Sequence, residues 1–176
     1  MTGDAVQGAL DLNTVQEGAT VVYRLVLPGT PPSKNEIGGW PPAWKASAKK
    51  RWMRMVSAQA KELGIPRGNV EIGLAAHIVF PTNSRRDPQN YADTLWNWVP
   101  DALQPCRTGC PANCQAHCGV LVDDNEGRIQ WPPNLGVTFG VDQRHAPTKV
   151  RKRTVLTISV RKAVPKGPDG GLELEL

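Results

Sequence analysis

The sequence predicts a two-layer α+β domain with helices over one sheet, and three observations lead there. First, the β-branched apolar runs TVVYRLVL (Thr20 to Leu27), Val70 to Phe80 and RTVLTISV (Arg153 to Val160) read as strands. Second, Ala43 to Leu63 and the stretch after Asp87 carry apolar residues at helical spacing. Third, the order is strand, helix, strand, helix, several strands, without an internal repeat. A length of 176 residues gives one domain room for a sizeable core, and 40% hydrophobic with 21% charged residues is the composition of a soluble globular protein.

Residues 1–19 are small and polar with no sustained period, and are expected to form a flexible arm. The first strand ends at Pro28-Gly29, and TPPSKNEIGGWPP is dense enough in Pro and Gly to read as a loop. In the helix that follows, Trp44, Ala48, Trp52, Met55, Val56 and Leu63 form an apolar stripe, while Lys45, Lys49, Arg54 and Lys61 lie off it. Gly64 and Pro66 stop that helix. Pro81 ends the second strand. Asp87 is a good N-cap and Pro88 suits the first helical position, so a second helix opens there, and Pro100 is expected to interrupt or end it. A cysteine-bearing loop comes next, then VLVDDNEGRIQW and LGVTFGV as short strands before the closing one. Residues 163–176 read as a flexible tail. The domain therefore spans 20–162, with 104–119 as a Cys-rich insertion. No stretch approaches the roughly 20 apolar residues of a membrane span. The opening MTGDAVQGAL lacks a basic segment leading into an apolar one, so neither secretion nor a membrane partner is expected.

A formal net charge of +5 and a pI of about 9.2 point to an anionic partner. Basic residues gather at Lys45, Lys49, Lys50, Arg51 and Arg54, at Arg85-Arg86, and from Lys149 to Arg153 with Arg161 and Lys162. Such patches neutralise phosphates and make nucleic-acid affinity fall steeply with salt. Each patch alone is equally well a solvated surface.

Inside this basic chain stands a set of acids. Asp87 lies at a strand-to-helix junction, and Asn90, Asp93, Asn97 and Asp101 follow close to one helical face. Asp123 and Asp124 form a pair after an apolar run. If the fold brings Asp87 to that pair, two bare carboxylates ~5 Å apart repel by about 3 kcal/mol at an effective dielectric near 20. A divalent cation relieves the repulsion. Oxygen ligands suit Mg2+ or Mn2+, which can activate water and offset charge building on a phosphate. Taken singly, Asp87 is a helix cap and the pair a hairpin turn; only jointly do they suggest a nuclease.

From about Val21 to Val160 the chain resembles the RusA-type Holliday-junction resolvases. The residues that carry the resemblance are PPSKN (Pro31 to Asn35), the basic-faced helix, RRDPQN (Arg85 to Asn90), PDAL (Pro100 to Leu103) and GVLVDD (Gly119 to Asp124), in that order. The resemblance implies a mixed β-sheet with two main helices on one face. It also implies a homodimeric endonuclease that binds four-way DNA junctions and cuts paired strands with magnesium, in the cytoplasm of a bacterial or phage-infected cell. Asp87 and Asp124 are then catalytic metal ligands, with Asp123 beside them. Gln89 stands where many members have a second aspartate, and Asp93 where the family has a lysine. Asp93 is expected to replace the charge lost at Gln89 and so join the catalytic set. Asp101 fits the family's DAL aspartate only across one extra turn, and otherwise Asn97 takes its place. Lys34, or an arginine of the Arg85-Arg86 pair, is expected to supply the missing cation. Lys34, Arg85, Arg86, Lys49 and Arg51 are the expected DNA-backbone contacts. The alternatives are a junction-binding protein with a decayed site, and a zinc-stabilised adaptor for nucleic acid or protein.

The loop CRTGCPANCQAHC lies outside the resolvase pattern. Cys106, Cys110, Cys114 and Cys118 are all the cysteines of the chain, spaced by four, with His117 beside the last. Thiolates with a histidine in reach suit a structural zinc, with an iron–sulfur cluster a distant second. Disulfides are disfavoured without a secretory signal. Among the aromatics, Trp40 is the expected DNA-stacking residue, whereas Trp44, Trp52 and Trp98 are expected in the core or a dimer interface. His77, within a strand, is expected to be structural.

Overall fold

A computed structural model of the chain describes residues 20–68, 70–106, 114–121, 129–130, 136–142 and 152–162. The expected arm and tail, the Asp123-Asp124 pair, Cys110, Trp131, His145 and the basic run 149–151 lie outside the described residues. The elements are β1 (Thr20–Pro28), α1 (Lys34–Gly38), α2 (Pro42–Glu62), β2 (Val70–Phe80), α3 (Pro88–Leu103), β3 (Ile129–Gln130), β4 (Val137–Val141) and β5 (Arg153–Lys162).

β5 lies between β1 and β2, antiparallel to both, with Leu25 opposite Leu156 and Leu74 opposite Ile158. The other edge of β2 takes β3 and then β4, both parallel to it, which makes the sheet mixed. Alternation along the strands sets the layers. In β1, Leu25 and Leu27 are buried while Val22 and Val26 are 58% and 52% exposed, the period of two of a strand with one open face. The buried face packs on α2 through Trp52, Met53, Val56 and Ala60, and on α3 through Leu95, Trp98, Val99, Ala102 and Leu103. Burying each large apolar side chain contributes about 1.5–3 kcal/mol, so packing rather than helix propensity holds the two layers together. The α+β class, with both main helices on one face of a mixed sheet, matches the expectation.

Two local features depart from it. The Pro/Gly-dense loop contains the short helix α1. Glu36 N–H donates to Ser33 Oγ at 3.3 Å and Ser33 N–H donates to the Glu36 carboxylate at 2.6 Å, a capping box. The other departure is that α3 runs through Pro100 to Leu103. A proline inside a helix loses one backbone bond and crowds the preceding turn. Here Val99, Pro100, Ala102 and Leu103 are buried, and residues 118–121 come back along the helix end to satisfy its carbonyls. Cys118 N–H donates to Ala102 O at 3.0 Å, Leu121 N–H to Leu103 O at 2.9 Å and Gly119 N–H to Gln104 O at 3.0 Å. Burial and these bonds offset the proline. No described helix is long and apolar enough to cross a membrane.

Candidate active site and metal centre

Two of the motifs meet in space. The capping box fixes Lys34 as the first residue of α1, which lies against α3. There Lys34 Nζ is 2.8 Å from Asp93 Oδ2. Gln89 Nε2 donates to Asp93 Oδ1, and Asn97 Nδ2 to the Asp93 carbonyl. Lys34, with help from Gln89, holds the Asp93 carboxyl below the usual carboxylate range. The Asp93 carboxylate in turn holds the Lys34 ammonium above its usual value. Farther along α3, Asp101 pairs with Lys49 of α2 at 2.5 Å. The polar stripe of α3 thus faces lysines delivered by two other helices.

Asp87 is exposed and caps α3, its Oδ1 accepting the Gln89 N–H at 3.0 Å. Asp93 has one carboxylate oxygen on Lys34 and the other on Gln89, so its charge is matched by protein groups rather than left open for a cation. Among the described residues no three carboxylates converge. Asp123 and Asp124, the remaining expected ligands, lie outside those residues.

The expected DNA contacts divide into two groups. Arg86 folds back, donating to Thr82 O at 3.0 Å and Ser84 O at 2.7 Å, with its guanidinium 3.7 Å from the Phe80 ring centroid. It locks the loop before α3, and Lys49 is held by Asp101. Arg51, Arg85 and Lys34 are exposed, as are Lys50 and Arg54 beside them on α2. Trp52 and Trp98 are buried in the core; Trp44, 66% exposed, lies outside it, which leaves the dimer-interface half of the expectation, and Trp40 is half-buried. The fully buried residues of α2 begin at Trp52, with Ala48 partly buried against the core before it, so the first turn of the helix overhangs and carries Trp44 into solvent. His77 is exposed, with its Nδ1 2.8 Å from Thr138 Oγ1 across the β2–β4 pair.

The cysteine loop presents different chemistry. Cys106 lies just past the end of α3, and the chain returns there with Cys114 and His117. One ligand atom from each of these three residues lies within 4.8 Å of the others, so the group could hold a metal ion. Cys114 Sγ is 3.2 Å from His117 Nδ1. That imidazole, together with the Ala116 backbone, lowers the Cys114 thiol to about 6. Cys118 departs from the expected ligand set. It is 4% exposed, its Sγ donates to Ala102 O at 3.2 Å, and burial pushes its thiol up. A spacing of four puts two side chains on one face only in a helix, and residues 114–119 are not helical. His117 therefore joins Cys114, while Cys118 enters the core.

No protein-family model matches the chain, and a search of curated proteins returns no match.

Proposed function

We propose that the protein is a magnesium-dependent endonuclease that cuts branched DNA, as the resemblance to RusA-type resolvases implies. The observation that carries this reading is the meeting of PPSKN with the α3 face that RRDPQN opens: Lys34 Nζ is 2.8 Å from Asp93 Oδ2, and Gln89 of RRDPQN donates to the same carboxylate. It brings an ammonium to the face of α3 where the resemblance expects a lysine. Lys34 then supplies the cation that orients a phosphate, and Asp93 is its positioning residue rather than a metal ligand. Asp87, exposed at the start of α3, would hold Mg2+ together with Asp124 and Asp123. When bound, that ion supplies the Lewis acidity for phosphodiester hydrolysis. Arg85 and the exposed Lys50, Arg51 and Arg54 of α2 track the DNA backbone, and Trp44 offers an aromatic face to unpaired bases. A homodimer would place two such sites on paired strands.

A second reading, a junction-binding protein that does not cut, is favoured by the uncharged Gln89 and by Asp93 being engaged on both oxygens. A labelled four-way junction, incubated with and without Mg2+, separates the two. The nuclease reading expects paired nicks that require the metal and are lost in Asp87→Asn and Asp124→Asn, with binding retained. Tight junction-selective binding without nicks supports the second reading. Equal affinity for junction and linear duplex overturns both and leaves the adaptor.

A further inference from the structure

We propose that Cys106, Cys114 and His117 bind one zinc ion, which clips the segment returning along the end of α3 to the residue that leaves it. The proposal does not rest on the nuclease reading. In a tetrahedral site with Zn–S of about 2.3 Å and Zn–N of about 2.0–2.1 Å, ligand atoms are about 3.5–3.8 Å apart. The three donors here lie within 4.8 Å of one another, and Cys114 Sγ is 3.2 Å from His117 Nδ1, so small side-chain rotations close the shell. Two sulfurs and one imidazole are a soft to borderline set. It selects zinc over the hard Mg2+ proposed for the carboxylates. Two thiolates also neutralise the dication, leaving one tetrahedral position for a fourth donor.

The surroundings explain what the ion fastens. Cys106 follows the α3 C-cap, Gln104, by two residues. On the return, Cys118, Gly119 and Leu121 donate backbone bonds to Ala102, Gln104 and Leu103. Gly119, at φ 69°, takes the left-handed conformation that lets the segment turn against the helix end. The metal would sit at the neck of the loop these bonds close. Cys118, one residue beyond His117, anchors the same segment from the other side by burial and by its bond to Ala102 O. The two kinds of cysteine therefore divide the work of holding it.

The test is to titrate the full chain, stripped of metal under reducing conditions, with Co2+ and then Zn2+. The expected result is one equivalent of Co2+ per chain, with thiolate charge-transfer absorption and the intense visible bands of a tetrahedral site, displaced by Zn2+. Cys106→Ser, Cys114→Ser and His117→Ala should each weaken binding by more than about a hundredfold, beyond the loss of an outer-shell partner. Cys118→Ala should keep stoichiometry and spectrum. The proposal is overturned if the folded protein takes up no Co2+, or if Cys118→Ala loses the spectrum while His117→Ala keeps it. Should Cys118→Ala not fold, an unchanged spectrum in His117→Ala overturns it alone.

Discussion

Removing zinc from the Cys106–Cys114–His117 group should lower the melting temperature by an amount that loop closure sets. From Cys106 to His117 the ion closes a loop of roughly 12 residues, and the chain-entropy relation for a cross-link of that size gives about 3 kcal/mol at 25 °C. The backbone bonds to Ala102, Leu103 and Gln104 do not reduce this figure, because they form only on folding whereas the cross-link restrains the unfolded chain. For a chain of 176 residues each kcal/mol moves the midpoint by about 2–4 °C, so chelation should cost about 6–12 °C. The assay is scanning calorimetry in reducing buffer, with zinc content verified beforehand and with or without chelator. His117→Ala and Cys114→Ser should melt low and ignore the chelator. Cys118→Ala should also melt low, from lost core volume, yet still respond to chelator as the parent does. A shift below about 2 °C in zinc-loaded protein would refute the clip.

Asp93 should titrate below free aspartate by NMR, and Lys34→Met should move it back up. Because the folded value is depressed, the pair's stabilisation is complete above the unfolded aspartate value and lost as pH falls through the folded one. Identical titrations in parent and variant count against the pair. A Cβ at Gly140 would lie 2.4 Å from His77 Nε2, so Gly140→Ala should push that exposed ring aside and cost about 0.5–1.5 kcal/mol, that of its hydrogen bond with Thr138, a cost that vanishes in a His77→Ala background. An equal effect of Gly140→Ala with and without His77 contradicts that placement of the ring. Arg51→Ala and Arg85→Ala should each lower the slope of log binding constant against log salt by about 0.9 on DNA. Arg86→Ala should leave the slope unchanged and reduce stability instead, since its guanidinium holds Thr82 and Ser84; equal slopes for all three variants reject the division.

Local patterns made most of the frame readable. β2 and α2 stand out through alternation and an apolar stripe with clear stop residues, and Asp87-Pro88 marks the start of α3 because capping is a contact within one turn. What stayed hidden depends on neighbours distant in the chain. α3 continues past Pro100 because residues 118–121 meet its end, which no window around the proline reveals. α1 did carry a local signal, the Ser33–Glu36 spacing, masked by surrounding Pro and Gly. Trp44 shares the period of the buried stripe, but period says nothing about where the sheet beneath the helix stops. In the candidate site, helical spacing lines up Asp93, Asn97 and Asp101, yet the lysines opposite them arrive from α1 and α2. The choice of His117 over Cys118 follows from the non-helical path of that segment.

The place of β5 between β1 and β2 bears on how the protein emerges from the ribosome. β1, the first strand among the described residues, pairs with residues 153–161, so it must wait for translation of nearly the whole domain before that pairing can form. Nascent chains halted before that point would carry two long unpaired strand edges, β1 and one side of β2, and would depend on chaperones to keep from sticking together.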